Sequence, residues 1–343
     1  MRKPLNSALL ALILLHCLAG CSPPPEPTVI AFGSCSHEND SLQMWDQIIK
    51  HQPEAWIWLG DNIYGDTYDM ALMQSKYEMQ KTRPSYQKLL QSTPVYGIWD
   101  DHDFGINDGG KGYRMKNESK RLMLDFLDVS PNNPVWQRDG AYQSYIIKSG
   151  GLQIKLILMD TRFFRDSLEI NVDRPPLYHP NENGTILGES QWKWLEEELH
   201  QSSADVHLIA SSIQLIPNDH GFEKWGNFPV ERQRFFDLIK KTDPAVPIVL
   251  SGDRHIAEFS KIELEGLEYP LVEFTSSGLT HTWSQDWGEE NRHRIGNMVI
   301  SKNFGIIQLL AQANEVSVHF LVYGPGNEVL QEMNQSYHRR SAR

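Results

Sequence analysis

The chain has 343 residues, of which 40 % are hydrophobic and 22 % charged. That profile excludes a disordered or membrane-embedded chain and allows a sizeable core without disulfides. A formal charge of −12 and the lack of any Lys/Arg run argue against nucleic-acid binding through the phosphate backbone, so an acidic chain that handles phosphate esters needs local cations, which metal ions supply.

Residues 1–20 read as a lipoprotein signal peptide. Arg2 and Lys3 form a basic start, Ala8 to Leu15 is an apolar run too short to span a bilayer, and Leu18-Ala19-Gly20-Cys21 follows. That tetrapeptide resembles the bacterial lipobox, in which the cysteine becomes the lipidated first residue. An ordinary signal peptide with a chance cysteine is the alternative. Residues 21–27 then form a lipidated Pro-rich tether, Ser22-Pro23-Pro24-Pro25-Glu26-Pro27. Ser22, rather than Asp, leans towards the outer membrane within a bacterial cell envelope, with the membrane contacted through the anchor alone. Loss of Arg2 and Lys3 takes the net charge from −12 to −14. Of the three cysteines, Cys17 leaves with the leader and Cys21 carries lipid, so Cys35 has no disulfide partner.

Beyond Pro27, apolar β-rich runs alternate with amphipathic helical ones, which predicts an α/β fold. The predicted strands are Val29–Phe32, Ala55–Leu59, Val95–Trp99, Ile154–Met159, His207–Ala210, Val246–Leu250, Leu271–Thr275, Gly305–Leu310 and Val316–Val322. Helices are predicted over Leu42–His51, Met70–Leu90 with a break at Pro84, Arg114–Leu127, Glu189–Gln201 and Glu231–Lys241. No linker divides the chain, so residues 28–323 read as one catalytic domain and 324–343 as a C-terminal tail, whose polar and basic end, Asn334 to Arg343, reads as loose.

Five polar clusters each follow an apolar strand directly, where ligands bind in α/β sheets. In Gly60-Asp61-Asn62-Ile63-Tyr64, a simple turn competes with a carboxylate that bridges cations. Trp99-Asp100-Asp101-His102-Asp103 sets three carboxylates around one imidazole, a mutual repulsion that a cation relieves; a solvated acidic loop is the plain alternative. In Gly252-Asp253-Arg254-His255, Asp253 and His255 can reach one ion from an extended loop. Gly33-Ser34-Cys35-Ser36-His37 offers a thiol and an imidazole, for a metal or for Cys–His nucleophilic catalysis, which would leave the carboxylates unexplained. Arg162, in Asp160-Thr161-Arg162, could clamp a phosphate or form a structural salt bridge with Asp160 or Asp166.

In order and spacing, these motifs resemble the alkaline phosphatase D (PhoD-like) branch of the calcineurin-like metallophosphoesterase superfamily. That branch carries Gly-Ser-Cys, Gly-Asp-x-x-Tyr, Trp-Asp-Asp-His-Asp/Glu, Asp-Thr-Arg and Gly-Asp-x-His, all present here between Phe32 and His255. The resemblance implies a four-layer metallophosphoesterase sandwich, two mixed β-sheets flanked by helices. It further implies a site of two or more metal ions, with an iron (Fe3+) and calcium (Ca2+) pairing and other divalent ions as options. By position, Cys35, Asp61, Tyr64, Asp101, Asp253 and His255 become metal ligands, with Asp61 bridging. His102 and Arg162 become the catalytic pair. His37, Asp100, Asp103 and Asn107 are lesser candidates. Gln214 is offered as a counterpart of the superfamily's isolated His, for which no clear match exists.

The expected reaction is hydrolysis of a phosphate-ester small molecule by a metal-bound hydroxide, with Arg162 holding phosphoryl charge and His102 contacting the phosphate or protonating the leaving oxygen. The motifs do not separate monoester from diester. The insertions Phe163–Ile186 and Pro217–Phe228 are expected to wall the pocket, with Trp225, Phe222 and Tyr178 as stacking or core side chains. A lipid-anchored phosphate-ester or metal binding protein without turnover is the alternative. A serine hydrolase is disfavoured, since no Gly-x-Ser-x-Gly elbow follows any strand.

Overall fold

A computed structural model describes residues 26–41, 43–174 and 177–339; the leader, Cys21 and the start of the tether lie outside them. In chain order the strands are β1 (Thr28–Gly33), β2 (Ala55–Leu59), β3 (Val95–Ile98), β4 (Gln143–Ser149), β5 (Leu152–Leu158), β6 (Glu169–Ile170), β7 (Tyr178–His179), β8 (Val206–Ala210), β9 (Pro247–Ser251), β10 (Ala257–Ile262), β11 (Leu271–Ser276), β12 (Arg294–Val299), β13 (Phe304–Ala311), β14 (Glu315–Tyr323) and β15 (Val329–His338). The helices are α1 (Trp45–Lys50), α2 (Met70–Lys81), α3 (Pro84–Ser92), α4 (Asp101–Phe104), α5 (Lys116–Phe126), α6 (Gly188–His200) and α7 (Pro229–Thr242).

The strands build two large mixed sheets, ordered β15-β14-β13-β1-β2-β3 and β12-β10-β11-β9-β8-β5-β4. Side chains alternate between faces with period two. Ile30, Phe32, Ile57 and Leu59 of the first sheet meet Leu156, Leu208, Ile248 and Leu250 of the second in one buried layer. The intervening Ala31, Trp56 and Trp58 turn outwards, onto a cluster that includes Trp45, Met73, Tyr86 and Met123 of the helices α1, α2, α3 and α5. On the far side, Ile157, Ile209 and Val249 pack with Trp192 and Leu195 of α6 and Phe235 and Ile239 of α7. The result is the expected four-layer sandwich. Each fully buried Leu, Ile or Phe in these layers contributes about 1.5–3 kcal/mol.

The helix predicted over Met70–Leu90 breaks as expected. Arg83 is extended, as the residue before a proline prefers, and Pro84 opens α3. Asp69 caps α2 by accepting from the Ala71 and Leu72 amides.

The C-terminal tail is corrected. Residues 329–338 form β15, which pairs antiparallel with β14 from Tyr323↔Val329 to Glu315↔His338. It is an edge strand that buries only Met333 and Tyr337, so its sequence looks polar throughout. Five further antiparallel strands, β4, β6, β7, β10 and β12, also lie outside the predicted set.

Candidate metal centre

The parallel strands β1-β2-β3 of one sheet and β5-β8-β9-β11 of the other deliver the polar clusters to their C-terminal ends. Cys35 follows β1, Asp61 and Tyr64 follow β2, Asp100 to Asp103 follow β3, and Asp253 and His255 follow β9. The chain turns sharply there. Cys35 (φ 61°), Asp61 (φ 49°), Asp253 (φ 68°) and His255 (φ 56°) all occupy the left-handed region, a strain that clusters at functional sites. Two glycines make these turns possible. A Cβ at Gly60 would stand 2.4 Å from the Asp100 Cβ, and one at Gly252 would stand 2.8 Å from the Leu59 carbonyl oxygen.

Three groups of donor atoms result, each with its atoms within 4.8 Å of one another: Cys35, Asp61 and His255; Asp61, Asp101 and His102; and Asp100, Asp101 and Asp253. Asp61 and Asp101 each belong to two groups, so the three are continuous. The Cys35 Sγ and the Tyr64 hydroxyl each lie 3.5 Å from the Asp61 Oδ2. The Tyr64 hydroxyl is also 3.2 Å from the His255 Nε2.

Electrostatics favour a cation here. Burial and the negative charge of Asp101 push the Asp61 carboxyl well up; burial and the charges of Asp100 and Asp101 do the same to Asp253. Burial and Asp61 also push the Cys35 thiol up. The Asp100 Oδ2 and Asp101 Oδ1 are buried without a hydrogen-bond partner. A metal ion held among these groups would supply both the missing partner and the missing charge, and would draw the thiol towards thiolate. Burial first, and then the neighbouring His281 and His102, push His255 down to about 3, so it stands as a neutral imidazole ready to ligate.

His281, on the loop after β11, is a site residue that the motifs did not reveal. Its Nε2 lies 2.8 Å from the Tyr64 hydroxyl and 3.2 Å from the His255 Nε2. The Thr280 hydroxyl donates to the Cys35 carbonyl and accepts from the His37 amide, so it serves the His281 Nδ1, 3.0 Å away, as an acceptor. That assigns the proton to Nδ1 and turns an Nε2 lone pair towards Tyr64 and His255. The signal was available in kind, because Ser276 to His281 is a sixth polar segment directly after an apolar strand.

His102 is held by Asp66, whose carboxylate oxygens lie 2.8 and 2.9 Å from Nδ1. Burial opposes its charge, but the Asp66 hydrogen bond and the Asp61 and Asp101 charges prevail and push it up to about 11. Its ring leans on Tyr64 at 4.3 Å between centroids.

Arg162 sits in a buried ion-pair cluster whose partners differ from those expected. Its side chain is fully buried, with Nε 2.6 Å from the Asp100 Oδ1 and Nη1 2.6 Å from the Glu223 Oε2. Arg165 adds a second pairing to Glu223 at 3.0 Å. Nε and Nη1 are thus spent on Asp100 and Glu223, while Nη2 is ion-paired to Asp100 but buried without a hydrogen-bond partner, so Arg162 braces Asp100. Its partners are not Asp160, whose carboxylate accepts from the Arg162 and Phe163 amides, nor Asp166, which pairs with Lys111.

The lesser candidates divide. Asp100 joins the donor groups, whereas Asp103 accepts from the Asp61, Asn62 and Asp100 amides and the Tyr77 hydroxyl, and so fixes the loop that carries Asp61. Gln214 donates to Glu258 and Thr275 on β10 and β11, and Asn107 is exposed and bonds to Asp108. His37 stacks on Tyr64 at 4.8 Å without joining a donor group. Of the expected stacking residues, Trp225 is wholly core, with its indole on the Ser211 hydroxyl, and the Tyr178 hydroxyl is tied to Asp108. Phe222 alone keeps an exposed ring.

Comparison with known proteins places the chain by family and fold. The family described as PhoD-like phosphatase matches residues 30–319. Alkaline phosphatase D of Bacillus subtilis (strain 168) is 26 % identical over 304 residues, covering 72 % of this chain and 51 % of that protein. The chain thus spans about half the length of that curated relative. The solved structure of PhoD superposes with a TM-score of 0.71 at 18 % identity, over 92 % of this chain and 71 % of its own, a likeness of fold.

Proposed function

The chain belongs to the PhoD-like phosphatase family, and from that membership we propose that it is a metal-dependent phosphoesterase working at the ends of β1, β2, β3 and β9. The observation that carries this reading is the continuous run of donor groups joined through Asp61 and Asp101. The thiol of Cys35, the phenol of Tyr64 and the imidazole of His255 suit a trivalent iron. The carboxylates of Asp61, Asp101 and Asp253 suit a hard oxygen-seeking ion such as calcium. When bound, such ions supply Lewis acidity towards a phosphoryl oxygen and acidify a water at neutral pH.

The residues around them set the geometry. Asp61 stands between the two sets, and Asp103 holds its amide in place. Arg162 and Glu223 fix Asp100 from behind. Asp66 grips the Nδ1 of a protonated His102, which leaves the other edge of the ring to donate a proton to the leaving oxygen or a hydrogen bond to the phosphoryl group. Attachment to a bacterial envelope through a lipid on Cys21 is part of the same proposal and rests on the lipobox-like sequence.

The test is turnover of p-nitrophenyl phosphate and bis(p-nitrophenyl) phosphate by purified protein before and after chelation, with each metal restored singly and together. Loss on chelation and recovery with iron plus calcium is expected. Undiminished turnover in metal-free protein overturns the proposal. Saturable binding of either ester by loaded protein, without hydrolysis, establishes the binding-protein alternative instead.

A further inference from the structure

A cavity of about 720 Å³ is walled by His220, Phe222, Trp283, Trp287, Glu289 and Glu290. It adjoins the donor groups through shared loops. Arg254, the residue between Asp253 and His255, lays its guanidinium 4.6 Å from the Phe222 ring centre and 5.3 Å from that of Trp283. The Trp283 amide donates to the His255 carbonyl at 3.3 Å. A group attached to a phosphate bound at the ions that Asp253 and His255 would ligate therefore has this cavity beside it.

The lining specifies what fits. Trp287 is 68 % exposed and Phe222 36 %, so flat apolar faces are open to a ligand. Arg254 already covers Phe222 and Trp283 with a positive charge, which disfavours a quaternary ammonium. The carboxylate of Glu289 is taken by Arg254 at 2.6 Å and Asp219 by Arg292 at 2.5 Å, while the exposed Glu290 repels an anion. A neutral group remains.

His220 narrows the choice further. It is only 6 % exposed, yet neither ring nitrogen has a hydrogen-bond partner. Burial and the nearby Arg254 and Lys224 push its pKa well down, so it is a neutral imidazole with one N–H donor and one acceptor. An unpaired buried polar group is costly, and a purely apolar ligand would leave both nitrogens unmet.

We propose that this cavity is the leaving-group subsite and takes a neutral planar heteroaromatic ring, as in a nucleoside phosphate, stacked on Trp287 and Phe222 with its polar edge towards His220. The proposal rests on the phosphoesterase reading of the adjoining site.

Adenosine 5′-monophosphate and ribose 5-phosphate test it, because both release a primary alcohol of similar acidity and differ in the base. In the metal-loaded protein, kcat/KM should favour the nucleotide by about 5- to 100-fold, the range expected for one base stacked on an aromatic side chain. Trp287→Ala and Phe222→Ala should bring the ratio towards one, and His220→Leu should reduce it with little change in folding. Adenosine alone should quench tryptophan fluorescence saturably, and Trp287→Ala should abolish the quench. Equal kcat/KM for the two esters, or a preference unmoved by these substitutions, overturns the subsite. If neither ester is hydrolysed, the two nitrophenyl esters decide the phosphoesterase reading, and the adenosine titration still decides the cavity: no saturable quench in the unmodified protein overturns it.

Discussion

Replacing Arg162 by Met tests whether the guanidinium orients Asp100 or binds phosphate. Met roughly conserves the volume, but it leaves Asp100 and Glu223, both buried, without the charge between them. Removing one partner of a buried ion pair costs about 3–5 kcal/mol, mostly from the stranded charge. Asp100 loses both contacts from the guanidinium, whereas Glu223 keeps Arg165 at 3.0 Å, so about 4 kcal/mol is a reasonable expectation. At roughly 2–3 °C per kcal/mol for a large domain, Tm falls by about 8–12 °C. Thermal unfolding followed by circular dichroism reads this shift, and elemental analysis reads the accompanying weakening of metal retention as Asp100 swings free. Adding Glu223→Gln removes one stranded charge, so the double variant costs less than the two single changes summed. An unchanged Tm and metal content with a KM raised 10-fold or more, in the range of about 1–3 kcal/mol of lost charged hydrogen bonding, would refute the positioning role and restore the phosphate clamp.

Glu273 should shape the pH profile of stability. Burial holds its carboxyl up to about 7 against 4.5 when unfolded, so its contribution is complete below pH 4.5 and is lost as pH rises through 7. Glu273→Gln should flatten the fall in Tm across that window, and an identical slope in both proteins counts against the assignment. His281→Ala should weaken metal retention at least about 10-fold and shift any iron–phenolate absorption from Tyr64, as loss of a group bonded to a ligand does; unaltered metal content and spectrum would remove His281 from the centre. Cys21→Ala should release the protein from membranes into the soluble fraction, and a variant that stays membrane-bound and normally processed defeats the lipobox reading.

The layers were legible because both sheets follow simple periodicity. Ala55–Leu59 and Val246–Leu250 are apolar on both faces, as buried parallel strands are, and they emerged within a residue of their observed ends. The boundary at Val246 slipped because that residue turns with φ 45° before the strand begins at Pro247. β15 stayed hidden because an edge strand alternates polar side chains with few buried ones, and nothing local distinguishes that from a solvated tail. The donor residues were legible from their position after strands and from their resemblance to family motifs. The pairing of Arg162 with Glu223 was not legible because Glu223 lies 61 residues away on an insertion, and a charge so distant leaves no local pattern. His281 was overlooked because it comes after Gly252–His255 in the chain, whereas the superfamily's isolated His comes before it.

Asp253→Asn with elemental analysis tests the central claim most directly. The substitution keeps the shape of a half-buried side chain that belongs to the Asp100–Asp101–Asp253 group, but removes its charge. The unmodified protein should retain more than one metal ion per chain. The variant should lose most of at least one, with turnover down about 100-fold or more, equivalent to about 2.7 kcal/mol of lost transition-state stabilisation. Its far-ultraviolet circular dichroism should be unchanged. Full metal occupancy and an undiminished rate in Asp253→Asn would contradict the account.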